Sequence, residues 1–162
     1  MTRATSKPKA RPARCIVVVL DTTWADALPG VARLVRRAAR AALAGARKTG
    51  PVTLTVALAD DRRVRALNAR DRGQDKPTNV LAYPSNDRTF LGDVVVARQT
   101  VWREARAQGK TPREHLMHLV VHGTLHLVGY DHEMGQAAAR RMEALERRIL
   151  RNLGIDDPYA AR

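Results

Sequence analysis

Three of the chain's five histidines stand within "HGTLHLVGYDH", at His122, His126 and His132. The spacing, H-x-x-x-H-x-x-G-x-x-H, is that of a zinc-protease motif, except that Gly123 occupies the position of the motif's catalytic glutamate. On a helix, residues four apart lie about 40° apart around the axis and roughly 6 Å along it, so His122 and His126 can reach one small ion. Gly129 then stops the helix, and the chain can fold back to bring His132 to the same ion. A continuing helix would carry His132 away. Three neutral nitrogens leave a fourth tetrahedral position open, which is the arrangement of a catalytic zinc and not of a structural one. Zinc, one ion per chain, is therefore the expected cofactor, although imidazole also suits nickel, copper and iron.

The neighbours of the triad have subsidiary readings. His118 and Asp131 could orient the ligands from behind, Asp131 by accepting a ligand's second N–H or by shaping the turn. His115 reads as a histidine at the edge of the core, satisfied by hydrogen bonds. Glu133 could act as a base, but a solvated position suits it better. A second segment, "RGQDKPTNV", sets Arg72, Lys76, Thr78 and Asn79 on a loop shaped by Gly73 and Pro77. Such a loop can present cations and donors to a phosphate.

The global charge agrees with a phosphate substrate. The 162 residues carry 29 Lys+Arg against 16 Asp+Glu, a net charge of +13. That excess points to a polyanion, nucleic acid first and an anionic membrane surface second. Aromatics make up only 4% of the chain, which argues against a base-stacking platform and for phosphate contacts. No run approaches the roughly 18–20 apolar residues that span a bilayer. The basic N-terminus leads into only six apolar residues, "CIVVVL", too few for the core of a signal peptide. A cytoplasmic protein with no membrane partner is expected. The single Cys15 cannot form an internal disulfide and reads as a small buried hydrophobe on a strand.

The elements that must position these residues follow from periodicity. "CIVVVLD" (15–21) reads as a buried strand. A helix from about Pro29 to Ala46 has an apolar face and an opposite face of Arg33, Arg36, Arg37, Arg40 and Arg47, which could meet phosphates. A half-buried strand follows at 52–60, then a short helix capped by Asp60. "VLAYP" and "LGDVVVA" form a hairpin of two short strands. A short helix then ends at Gly109. Thr111 as N-cap, Pro112 at N1 and Glu114 at N3 open the histidine helix, expected to run to about Val128. A last helix spans roughly Gly135 to Leu153, and Trp24 and Trp102 belong in or near the core. The order β–α–β–α–β–β–α–α–α implies an α+β fold: a small mixed sheet of about four strands with packed helices, the metal-site helix lying toward the C-terminal half. One domain over 15–155 is expected, preceded by a disordered basic arm (1–14) and followed by a tail (156–162).

Taken together, "RGQDKPTNVLAYP", "LGDVVVA", "HLVVHGTLHLVGYDHE" and "MEALERRIL..LG" resemble the YbeY family of bacterial endoribonucleases over roughly residues 15–159. The resemblance implies an α+β fold with a small mixed sheet and a metal, generally taken as zinc, held by His122, His126 and His132. It implies that Arg72 matches an arginine important for ribonuclease activity. It also implies an RNA substrate and a role in rRNA maturation, including 16S rRNA 3′-end processing, and in ribosome quality control, with the ribosome and its proteins as partners. "VLAYPS" stands where the family usually reads "VLSFP".

Three functions compete on this footing. The first is a metal-dependent endoribonuclease, in which a water whose pKa the ion lowers toward ~7 attacks without a strong carboxylate base. Attack by the 2′-hydroxyl is equally compatible. The second is a ribosome-assembly factor whose metal is mainly structural. The third, a metalloprotease, is opposed by Gly123, which cannot take the water's proton.

Overall fold

The computed structural model describes residues 12–160. Most of the expected basic arm, and the last two residues of the tail, lie outside that range. Four strands form one mixed sheet: β1 (Arg14–Val19), β2 (Thr53–Ala59), β3 (Val80–Pro84) and β4 (Phe90–Ala97), in the spatial order β1-β2-β4-β3. The pairs β1/β2 and β2/β4 are parallel, and β3/β4 is the expected antiparallel hairpin, with Leu81 opposite Val95. Among the described residues six helices surround the sheet: α1 (Thr23–Ala27), α2 (Val31–Gly45), α3 (Asp61–Arg72), α4 (Arg98–Ala107), α5 (Pro112–Leu127) and α6 (Gln136–Asn152). This is the α+β architecture expected from the order of elements. Among the described residues no helix is long and apolar enough to cross a membrane.

The two-residue period of β4 sorts its side chains between two cores. Val94 and Val96 face the main core, with Leu54, Val56 and Leu58 of β2 and the apolar faces of α2, α5 and α6. Val95 and Ala97 point the other way, to a smaller cluster with Val64 of α3 and Leu81 of β3. Burying both faces of β4 explains its near-continuous apolar sequence. The one-turn helix α1 was not expected from periodicity, being too short to show any. It seats Trp24, fully buried, whose Nε1–H donates to Ala59 O at 2.9 Å and whose ring meets Trp102 edge-on at 5.2 Å.

Two expectations are corrected. The apolar run at 15–21 is not a buried strand. Among the described residues β1 is a sheet edge bonded to β2 alone, and Ile16, Val18 and Leu20 stay 44%, 37% and 41% exposed because the smaller cluster reaches only as far as β2. Arg14, assigned to the arm, opens β1, its N–H donating to Val52 O at 2.8 Å. Cys15 does face the core, and burial pushes its thiol up to about 11, far from a reactive thiolate.

Candidate metal centre

α5 begins as its sequence dictates. Thr111 Oγ1 accepts from Glu114 N–H at 3.2 Å, and Glu114 Oε2 accepts from Thr111 N–H at 2.9 Å, a complete capping box with Pro112 in the first turn. The helix ends at Leu127. Gly129 takes φ +99°; its N–H donates to His126 O, and the N–H of Tyr130 donates to Leu125 O, both at 3.1 Å. This Schellman pair satisfies the last carbonyls and turns the chain back. Asp131 Oδ1 accepts from Glu133 N–H at 2.8 Å, so Asp131 shapes the turn that returns His132 to the helix end.

The returned chain closes the triad. His126 Nε2 lies 3.2 Å from His122 Nε2 and 3.1 Å from His132 Nδ1, and one ligand nitrogen from each residue falls within 4.8 Å of the others. A tetrahedral ion with Zn–N bonds of about 2.0–2.1 Å holds its nitrogens roughly 3.3–3.4 Å apart. The two measured edges are within a few tenths of an ångström of that value. Burial, with the imidazoles of His122 and His132 alongside, holds His126 below the usual histidine range, so it is a neutral donor at pH 7. The donor set therefore fits a borderline-soft divalent ion such as zinc.

Glu146 of α6, which sequence reasoning missed, backs the triad. Its carboxylate is fully buried, and its Oε1 lies 2.5 Å from His122 Nδ1. Burial alone would raise its pKa, but hydrogen bonds from His118 and His122 outweigh that and hold it at about 2. An ionised carboxylate at that distance keeps the proton on His122 Nδ1 and leaves the Nε2 lone pair facing the cluster. His118, one of two candidates for this supporting role, instead approaches the same carboxylate from Oε2 at 3.4 Å. A signal was present in the sequence: Glu146 is the one charged residue on the buried stripe of Met142, Leu145, Ile149 and Leu150.

The triad forms one wall of a cleft of about 560 Å³. Opposite stand Arg72, at the end of α3, and Val80, Ala82 and Pro84 along β3, with Thr78 between them. Arg72 is exposed and spends one contact on Ala82 O, 3.4 Å from Nη2. Its neighbour Asp71 is engaged elsewhere, by Arg70 Nε at 2.6 Å and Tyr83 O–H at 2.8 Å, and these bonds lower its pKa to about 2. Among the described residues no carboxylate lies within ion-pair distance of Arg72, although its charge contributes to lowering the Asp71 pKa, and Arg72 lines the cleft. Glu133 lines the rim.

The other loop candidates divide. Thr78 lines the cleft. Asn79 lines it too, but its Nδ2 donates to Glu104 Oε2 at 3.0 Å, the oxygen that His115 Nε2 also meets at 2.7 Å. Asn79 thus ties the loop to α4. His115 is buried and bonded through Nε2, but its Nδ1 is buried without a partner, so it is not the fully satisfied histidine expected. Lys76 is exposed but not among the cleft's lining residues.

A family model described as endoribonuclease YbeY matches residues 22–154. An endoribonuclease YbeY of Azorhizobium caulinodans is 52% identical over 152 residues, covering 89% of this chain and 94% of its own. Another, of Alkalilimnicola ehrlichii, is 47% identical over 155 residues, covering 91% and 92%. The solution structure of a Thermotoga maritima protein superimposes with a TM-score of 0.58 at 23% identity, covering 91% of this chain and 99% of that one, which supports the fold.

Proposed function

The chain belongs to the YbeY endoribonuclease family, and from that premise we propose that it is a metal-dependent endoribonuclease cutting single-strand segments of rRNA precursors, in 16S rRNA 3′-end maturation and ribosome quality control. The observation that carries this reading is the pairing, across one cleft, of three clustered imidazoles (His126 Nε2 lies 3.2 Å from His122 Nε2 and 3.1 Å from His132 Nδ1) with the Arg72 guanidinium. His122, His126 and His132 would hold one zinc ion per chain, which would supply Lewis-acid chemistry toward the attacking oxygen and the phosphate. Arg72 offers donors to the non-bridging phosphate oxygens, where charge builds in the transition state. Thr78 lies where its hydroxyl can hold the neighbouring backbone. Lys76 and the arginines of α2 act at longer range, drawing the polyanion in. Glu133, on the rim, is the carboxylate available to exchange a proton with solvent.

The catalytic unit in this reading is the single domain expected over 15–155, with the basic arm before it adding attraction for RNA. The protein works in the cytoplasm on the ribosome, next to ribosomal proteins.

Gly123 removes the protease alternative on physical grounds. It lines the cleft but has no side chain to take a water's proton, and an added Cβ would stand 2.7 Å from Val94 Cγ1 of β4. The decisive experiment is cleavage of an rRNA precursor by purified protein beside Arg72→Ala and His126→Ala. Loss of about 100-fold or more in rate is expected for Arg72→Ala, with zinc content unchanged. His126→Ala should lose both activity and metal. Variants that cut as fast as wild type would overturn the nuclease assignment of these residues. RNA binding without cleavage by wild type would favour the assembly-factor reading.

A further inference from the structure

Glu146 has two oxygens and two duties. Oε1 faces His122 Nδ1, while Oε2 receives the hydroxyl of Tyr159 and, more distantly, His118 Nε2 at 3.4 Å. Tyr159 lies beyond the residues 22–154 that the family model matches, in the segment expected to be a mere tail.

That segment is fastened to the body at several points. Asp157 Oδ1 accepts from Arg147 Nε at 3.2 Å and from Tyr159 N–H at 2.9 Å. Lys110 Nζ donates to Pro158 O at 3.4 Å. The Tyr159 ring stands edge-on to His118 at 5.7 Å, with the Arg147 guanidinium carbon 5.0 Å from its centroid. The ring remains partly exposed, but the hydroxyl is turned inward to a carboxylate with no solvent exposure of its own. A buried carboxylate must have its lone pairs satisfied, or it rotates toward whatever donor remains. Without the Tyr159 hydroxyl, Oε2 keeps only the 3.4 Å approach of His118, whose Nδ1 is itself buried without a partner. The carboxylate would then swing toward His118 and loosen its hold on His122 Nδ1.

We propose that Tyr159 is a positioning residue for the metal centre: through Glu146 it fixes the orientation and tautomer of His122, so that the C-terminal segment sets the affinity for the ion. The inference rests on the reading of His122, His126 and His132 as ligands. Outer partners of ligating histidines typically contribute 10–100-fold to metal affinity. Glu146→Gln should fall in that range, and Tyr159→Phe, one bond further out, should weaken binding by about 3–10-fold.

The test uses the full chain and two readouts besides activity. Zinc affinity is measured by competition with a chromogenic chelator, and the ligand field by the visible absorption of the cobalt(II) form, for wild type, Tyr159→Phe, Glu146→Gln and His122→Ala. Tyr159→Phe retains the ring that packs on His118, and thermal unfolding of the metal-free proteins verifies that it folds. The expected result is weaker zinc binding and a shifted cobalt spectrum in Tyr159→Phe, with the metal-free melting temperature close to wild type. Wild-type affinity and spectrum in Tyr159→Phe, with metal lost in His122→Ala, would overturn this inference while leaving the ligands in place. Near-stoichiometric zinc in His122→Ala would overturn the ligand assignment, and the inference with it.

Discussion

A Cβ added to Gly123 of α5 would stand 2.7 Å from Cγ1 of Val94 on β4. The helix that carries the histidines therefore lies on the sheet at glycine distance, which brings the triad down against β3. Replacing Gly123 by Ala would gain up to about 1 kcal/mol of helix propensity. Overpacking a fully buried, rotamer-stiff valine costs about 1–3 kcal/mol, so the steric cost outweighs the gain. Gly123→Ala is expected to be less stable than wild type and to bind zinc more weakly, as α5 is lifted from β4. Denaturant unfolding checks this: a midpoint equal to or above wild type would show that the close approach is not under constraint.

Removing the ion should be visible as lost stability. Free zinc at about 100 times its dissociation constant stabilises the folded chain by roughly 2.7 kcal/mol. A chelator should lower the melting temperature of wild type by several degrees and leave His126→Ala unmoved. Equal shifts in the two proteins would mean that the metal binds elsewhere.

Acid should weaken the fold at Asp21, which is not among the residues lining the cleft. Asp21 Oδ2 accepts from Arg98 Nε at 2.6 Å and Oδ1 from Thr23 N–H at 3.0 Å, joining the end of β1 to the start of α4. Burial pushes the Asp21 carboxyl up, but these bonds, chiefly that from Arg98, outweigh it and hold the pKa below the ordinary 3.8. A depressed folded pKa means the contribution is complete above 3.8 and fades as pH falls through the folded value. Asp21→Asn should cost about 1–3 kcal/mol at pH 7, the worth of hydrogen bonds to a charged group. The gap from wild type should narrow below pH 4. A constant gap from pH 7 to pH 3 would refute the ion pair's role.

The arginine face of α2 yields a prediction in salt. Arg33, Arg36, Arg37 and Arg40 are all exposed, and among the described residues none has an ion-pair partner. Each single-strand phosphate contact adds about 0.7 to the slope of log affinity against log salt. Changing all four to Gln should flatten the slope for rRNA binding by up to about 3, with zinc content intact. An unchanged slope would place the RNA on another face.

How much of this was legible depends on how far apart the interacting residues are. The start of α5 was plain because its cap is made by residues three apart, Thr111 and Glu114, and its end because Gly129 is the turn. The hairpin of β3 and β4 and the clustering of His122, His126 and His132 were legible for the same reason. Whether β1 is covered on both faces is not local information: an apolar run records what a strand can bury, and the neighbours decide what it does bury. Asn79 looked like a free donor for RNA until α4 brought Glu104 to it, 25 residues along the chain. Glu146 was conspicuous on the buried stripe of α6, but that its partner is His122, 24 residues away, is set only by how α6 docks on α5.

The position of β3 at the margin of the sheet has a further effect. Among the described residues no strand adjoins its outer side, and the cleft beside it is lined by exposed residues, Arg72, Gln74, His132 and Glu133. The cleft beside the histidines is thus bordered on that side by exposed side chains. A polynucleotide can be laid into it broadside at any point along its length, without a free end being threaded through. Such an opening suits an enzyme that cuts inside a chain, and it leaves the choice of where to cut to whatever holds the RNA on either side.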